Sequence, residues 1–323
     1  MHKDDSKSYS EAARQLGFAV KRDCLDDSEV NLIKRIVQES YNAWGNMIYD
    51  KAFLNWGLWD KKIHNEYLGL NFNFATLCPA QDIYSQLLLY YLIRPLIQIN
   101  FRDKRLLDIG CGNGIGLKLG SELLRTEYAL GVDLVNKLVS NANHNFYKNN
   151  KINYIQSDAE NLALENESFD IITNLESSHL YPKIGDFFVE VERVLAPGGY
   201  FCYADIHVTN KKQSERLEAF IKTRKNLKII EKNNITKMVQ ASIYQRLIVN
   251  ESLLYENAKT IFGSEKEKLF NEFSALAYAM GLLFLPWWKM WFKNPALREI
   301  AKRARKNNYW GKKNFFYYLI QKE

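Results

Sequence analysis

The chain has 323 residues, 47% hydrophobic and 25% charged, enough to bury a sizeable core and more than one simple domain needs. Four cysteines without ligand spacing and a polar start, Met1-His2-Lys3-Asp4-Asp5, argue against a disulfide framework and a secretory leader and make the cytoplasm the default expectation. The net charge of +7 is local: residues 289–323 carry ten Lys or Arg and two Glu, a net +8, so the rest of the chain stands at −1 and shows no nucleic-acid-binding charge of its own.

The first predicted element is a helix over 28–50, with Val30, Ile33, Ile36 and Val37 at helical spacing. An aromatic segment, Phe53-Leu54-Asn55-Trp56-Gly57-Leu58-Trp59, precedes a second helix over 79–98, opened by Pro79 and closed at or before Pro95. Together these make residues 1–99 a helical cap. The apolar run Leu106-Leu107-Asp108-Ile109 then reads as a strand leading into glycines at 110, 112, 114 and 116. Glycine lacks Cβ, so this backbone can approach a ligand closely. The dinucleotide fingerprint would need a third glycine at 115, where Ile115 stands. A second strand, Thr126 to Val132, ends at Asp133, an acid placed to accept hydrogen bonds from ribose hydroxyls. A helix over Leu134–Tyr147 and a strand over Ile152–Gln156 follow, then Ser157-Asp158-Ala159-Glu160 and a fourth strand, Phe169 to Asn174. A helix closes at Val189–Leu195, and Ala196-Pro197-Gly198-Gly199 turns into a fifth strand, Tyr200–Ile206. Leu227–Glu231 reads as a sixth strand and Lys313–Lys322 as the last, apolar on both faces like a buried central strand. The alternation predicts an α/β fold, a doubly wound, mostly parallel seven-stranded sheet with its core over 100–232 and its last strand within 307–323. Residues 233–306 read as a helical lid insertion for substrate, with helices over Thr236–Ala258 and Glu265–Leu285.

Asp108-Ile109-Gly110-Cys111-Gly112-Asn113-Gly114, followed by Asp133 and the Leu-x-Pro-Gly-Gly turn, resembles the class I S-adenosylmethionine (SAM) dependent methyltransferases in residue type and in order. The resemblance implies a Rossmann-like core with SAM as cofactor, S-adenosylhomocysteine as product and no metal. It implies cofactor contacts from Asp108, Gly110, Gly112, Asn113, Gly114, Asp133, Leu134 and Asn174. It also implies that Asp158 meets the adenine amino group, with the backbone at Ala159 against the ring. The last strand would insert antiparallel. Asn55-Trp56-Gly57-Leu58-Trp59 is similar to an Asn-x-Gly-x-Trp segment that lies over the cofactor in related small-molecule enzymes, which would place Trp59 there. Two tryptophans packing a helix–helix turn is the other reading.

The residues just past strand four set the acceptor. Asn174-Leu175-Glu176-Ser177 lacks the Asn-Pro-Pro-aromatic of adenine and glutamine amino-methylating enzymes and the Pro-Cys of cytosine C5 enzymes. Nucleic acid therefore loses its chemistry as a partner. Glu176-Ser177-Ser178-His179-Leu180-Tyr181-Pro182 instead resembles a Glu-x-Ser-His-x-Tyr-Pro signature of the phthiotriol and phenolphthiotriol dimycocerosate and fatty-acid O-methyltransferases, a bacterial small-molecule group. Ser157-Asp158-Ala159-Glu160-Asn161-Leu162 and Asn234-Ile235-Thr236 fit the same pattern, and the likeness spans roughly residues 50–235 and the last ten, without the lid.

A hydroxyl is a poor nucleophile unless its proton leaves as the new bond forms, and imidazole suits that task. Of five histidines, His179 alone stands just past strand four. It is the expected base, or else a structural residue that orients the loop. Glu176 has two readings, holding the SAM amino group or fixing the His179 tautomer. Tyr181 is a hydrogen bonder on the acceptor side or a core aromatic. The lid carries Trp287, Trp288, Trp291 and Phe292, and Ala275–Trp288 holds no charge across 14 residues, too short for a membrane span. That run reads as a buried helix or one resting on a bilayer face, and either favours a hydrophobic small-molecule or acyl substrate. The basic tail is a solvated face, or a contact for an acidic carrier protein or an anionic membrane surface. The expected reaction is methyl transfer to a hydroxyl or carboxyl oxygen of a lipid-like or polyketide-derived molecule. N- or C-methylation of a hydrophobic metabolite, or a SAM-binding protein acting on RNA or docking to membranes, are the alternatives.

Overall fold

The computed structural model describes residues 26–47, 53–70, 72, 82–99, 101–149, 151–207, 211–250 and 314–323, with single positions 252, 285, 288, 291, 292 and 298. Seven strands form one sheet: β1 (Arg105–Ile109), β2 (Tyr128–Asp133), β3 (Ile152–Gln156), β4 (Phe169–Leu175), β5 (Leu195–His207), β6 (Leu227–Asn234) and β7 (Asn314–Lys322). Their order is β3-β2-β1-β4-β5-β7-β6. The pairs from β3 through β5 are parallel, while β7 runs antiparallel to both β5 and β6, as the family resemblance implied. The chain winds from β1 outward through β2 to β3, then returns to β4 on the other side. That reversal opens a crevice at the carboxyl end of β1, where such sheets bind ligands.

Helices α1 (Asp27–Met47), α2 (Lys61–Leu68) and α3 (Ile83–Ile93) precede the sheet. Then come α4 (Ile115–Leu124), α5 (Asn136–Phe146), α6 (Ile184–Val194), α7 (Lys211–Thr223) and α8 (Thr236–Tyr244), which runs on into a π-turn at Gln245–Val249. One face of the sheet packs on α3, α4, α5 and α8, with Leu87, Leu119, Ala142 and Val239 in the layer. The other packs on α6 and α7 through Phe187, Val191, Leu217 and Ile221. The strands β1, β4 and β7 are buried on both faces, which is why they read as unbroken apolar runs. In β6 half-buried and exposed residues alternate, the pattern of an edge strand.

Several boundaries differ from the sequence reading. The second cap helix begins at Ile83, because the Asp82 carboxylate accepts the Ser85 N–H and caps it there. Pro79 lies outside the described residues. Pro95 falls in a 3₁₀ turn, Arg94–Leu96, one turn beyond the α-helical end. The Pro-Gly-Gly turn is the bulged start of β5, with Gly198 at φ +75° and a register shift against β4 between Phe169 and Ile171. β6 runs on to Asn234, whose side chain accepts the N–H and hydroxyl of Thr236 while the Thr236 hydroxyl accepts the N–H of Phe315. The expected helix Glu265–Leu285 and most of the basic tail lie outside the described residues. Among the described residues no helix is long and apolar enough to cross a membrane.

Candidate active site

The glycine turn leaves β1 and bends back under β2. Gly110 and Cys111 donate their N–H groups to the Val132 carbonyl at 2.8 and 3.0 Å. Gly112 donates to Asp133 Oδ2 at 2.9 Å, and Val135 donates to Oδ1 at 2.9 Å. One carboxylate thus fixes both the turn and the start of α5. Gly110 stands at φ +75°, and a Cβ there would lie 2.0 Å from Ser177 Oγ and 2.8 Å from the Tyr181 hydroxyl. Only glycine satisfies both demands. Gly114 caps α4 in the left-handed region, beneath the Tyr154 ring.

A cleft opens above this turn, open to solvent at its mouth. Asp108, Gly110, Gly112, Asn113, Asp133 and Leu134 line it on the side of β1 and β2. Asp158, Ala159, Glu176 and Tyr181 line it as well. The cap closes it with Lys34, Val37 and Tyr41 of α1 and with Phe53, Leu54 and Asn55. Gly114, Asn174, His179 and Trp59 do not line it. Trp59, expected over the cofactor, packs its ring on His64 and Tyr84 instead, which agrees with the turn-packing reading, and Asn55 takes the lining place. Asn174 acts from below, donating to the Ile109 carbonyl at 2.8 Å and to the Tyr181 hydroxyl at 3.1 Å. Tyr181 also bonds Ser177 Oγ at 2.7 Å, so its hydroxyl fastens the turn beneath Gly110.

Three carboxyls in this cleft are displaced from their ordinary range. Burial pushes Asp108 up to about 7; the Thr173 hydroxyl at 2.7 Å opposes the rise and Asp133 adds to it. Burial also raises Asp133, against its backbone N–H bonds. Glu176 is raised well above the usual carboxylate range, by burial first, with the Trp56 N–H at 2.8 Å opposing. The backbone of Glu176 sits at φ +51°, uncommon for a side-chain-bearing residue, and its buried Oε1 has no hydrogen-bond partner. Leaving such an atom unsatisfied costs about 1–3 kcal/mol. A buried acceptor that faces the cleft fits a cationic ligand group, and the glycine backbone fits close approach of a ligand. The residues present therefore suit SAM.

Sequence reasoning missed Asp205. In the pairing of β4 with β5, Leu175 lies opposite Ala204, so Asp205 falls beside the turn that carries His179. Fully buried, it meets His179 Nδ1 at 2.8 Å and accepts the His179 backbone N–H at 2.8 Å, the Ser178 hydroxyl at 2.5 Å and the Ile206 N–H at 2.6 Å. Burial pushes Asp205 up, but the charge and hydrogen bonds of His179 and the hydroxyl of Ser178 outweigh it and hold the carboxyl below its ordinary range. An ionised carboxylate only accepts, so it sets the neutral imidazole with hydrogen on Nδ1 and the lone pair on Nε2. Asp205, not Glu176, is the residue placed to fix the tautomer. Asp205 sits in an apolar strand, where nothing in the sequence marks it. Among the described residues no group of three or more His, Cys, Asp or Glu could hold a metal ion.

Residues 107–203 match the family model described as a methyltransferase domain. Over 118 residues the chain is 38% identical to the phthiotriol/phenolphthiotriol dimycocerosates methyltransferase of Mycobacterium leprae, covering 36% of this chain and 43% of that protein. Over 110 residues it is 38% identical to a fatty-acid O-methyltransferase of Mycolicibacterium smegmatis, covering 33% and 39%. The chain thus spans less than half the length of these curated relatives. The geranyl diphosphate C-methyltransferase of Streptomyces coelicolor, solved with Mg2+, geranyl diphosphate and S-adenosylhomocysteine, shares the fold: TM-score 0.53 at 13% identity, over 90% of this chain and 98% of that one. The strand order and the glycine turn thus stand within the stretch, 107–203, that is similar to a methyltransferase domain.

Proposed function

We propose that this protein methylates an oxygen of an apolar, lipid-like or polyketide-derived small molecule, with His179 as the proton acceptor. The observation that carries the reading is the buried Asp205 on His179 Nδ1, which leaves the lone pair on Nε2 just past the end of β4. The named activities of the relatives, on phthiotriol-type lipids and a fatty acid, support an apolar acceptor and an oxygen target.

Bound in the cleft, SAM supplies a methyl group already activated on a sulfonium, so the acceptor's new O–C bond forms as the S–C bond breaks and the electron pair stays on sulfur. Gly110 and Gly112 give the close backbone approach, Asp133 receives the ribose hydroxyls, and Asp158 receives the adenine amino group. Glu176 Oε1 receives the methionine ammonium, a cation that restores the ionised carboxylate which burial disfavours. His179, which stands outside the lining of the cofactor cleft beside its Ser177 and Leu180, takes the hydroxyl proton on Nε2 from an acceptor reaching in from that side. The cap keeps water out of the cleft, and the apolar lid segment provides the acceptor's surroundings.

The test offers methyl-labelled SAM and a lipid or metabolite extract to the protein and follows labelled product by mass spectrometry. With the product in hand, His179→Ala should lower turnover by about 10²–10⁴-fold for an alcohol acceptor. Loss smaller than tenfold would point to an amine, carbon or carboxylate acceptor and remove the base from the mechanism.

A further inference from the structure

Helix α1 lies along α5 and covers the adenine end of the cleft. It is tied there by Gln38 Nε2 to the Leu134 carbonyl at 3.3 Å and by Asn141 Nδ2 to the Gly45 carbonyl at 3.1 Å. Its inner stripe is Val30, Ile33, Val37 and Tyr41, spaced at three and four, and Lys34 falls on the same stripe. A lysine there is out of place on a purely packing view. Its ammonium stands 2.5 Å from Asp158 Oδ2 and 2.6 Å from Glu160 Oε2, with the side chain only 19% exposed. The two acids are themselves held. Asp158 Oδ1 accepts the Glu160 N–H at 3.0 Å, and Glu160 Oε1 accepts the Lys183 N–H. Burial presses the lysine down, and the hydrogen bonds to Asp158 and Glu160 more than reverse that, so it stays charged.

Asp158 is the carboxylate that the proposed function assigns to the adenine amino group, and one of its oxygens already carries Lys34. We propose that Lys34 is a positioning residue of the cofactor site, a fastener between α1 and the adenine-binding carboxylates. When the adenosyl group arrives, its amino group takes Asp158 Oδ2 and the ammonium leans onto Glu160. The roof helix then stays pinned over the loaded cleft by Glu160, and cofactor release requires that pin to open. Glu160, which the sequence offers only as a neighbour of Asp158, becomes the residue that sets how long the cofactor stays.

This inference rests on SAM binding, and the experiment separates the two. S-adenosylhomocysteine binding to the full chain is measured by calorimetry, its dissociation rate by stopped-flow, and amide hydrogen exchange over 27–47 with and without it. Wild type is compared with Lys34→Met, Lys34→Arg, Glu160→Gln and, as a surface control, Glu39→Gln. Dissociation should quicken about fivefold or more in Lys34→Met and Glu160→Gln, with faster exchange in α1, while Lys34→Arg and Glu39→Gln stay within twofold of wild type. If wild type gives no binding heat, the cofactor reading fails and takes the fastener with it. If wild type binds and both dissociation and α1 exchange are unchanged in Lys34→Met and Glu160→Gln, the fastener alone is overturned. If Lys34→Met does not fold, Glu160→Gln decides by the same two readouts.

Discussion

Two acids that the same fold buries behave in opposite ways, and the difference is the His179 charge beside Asp205 together with the number of donors around each. Asp205 accepts four hydrogen bonds, from Ser178, His179 and Ile206, and is held ionised. Asp108 has Thr173 as its side-chain donor and titrates near 7. Replacing Asp205 by Asn keeps the shape but places an amide donor or a neutral oxygen against Nδ1. With the product assay in hand, kcat should fall by about 10²-fold or more while KM for SAM stays within about threefold. A purely structural role would instead lower thermal stability and move both constants. For Asp108 the sign follows from linkage. Its folded pKa lies above the unfolded one, so the native state holds the extra proton, and stability is lost as pH rises from the unfolded value toward about 7. Asp108→Asn carries no such charge. Its Tm relative to wild type should therefore be higher at pH 8 than at pH 5, by about 2–4 °C, read by calorimetry at both pH values.

The elements around the cleft divide into those whose sequence announces them and those whose role depends on neighbours. The glycine turn is of the first kind. Glycines at 110, 112 and 114 all take positive φ, and their spacing alone pointed to that backbone and to the cleft above it. Gly110→Ala should cost about 1–3 kcal/mol from the backbone strain alone, more from the Ser177 clash, and should abolish S-adenosylhomocysteine binding by calorimetry. The cap is of the second kind. The stretch 55–59 is clamped between α3 and α8 by Leu58 N–H to Tyr84, Trp59 N–H to Met238 and Ser242 Oγ to the Trp56 carbonyl. Arg246, on the π-turn, pairs with Asp82 at 2.7 Å in the same clamp. The outcome is a single hydrogen bond from Trp56 to Glu176, and no periodicity in 53–59 encodes it. Lys34 and Tyr41 were hidden in the same way, since helical spacing identifies the stripe of α1 but not which face of the sheet it covers. Asp205 depends on strand register, which a single strand's residues do not carry.

At the scale of the whole molecule, the sheet was legible because each strand is an apolar run bounded by turn residues, and the order of runs allows few windings. The place of β7 came from family likeness, since an apolar run alone gives no strand direction. The expectation of a lid rests on length and aromatic content alone. Phe292 and Trp288, 79% and 50% exposed, show that part of that region presents aromatic surface. The order β5-β7-β6 has one more result. Residues 235–313 must emerge before β6 can join the sheet, because among the described residues β6 pairs with β7 alone. Asn314–Lys322 is thus a splint, gripped by antiparallel ladders on both edges. A synthetic nonapeptide of that sequence added to protein lacking those residues should restore a cooperative melt, read by calorimetry.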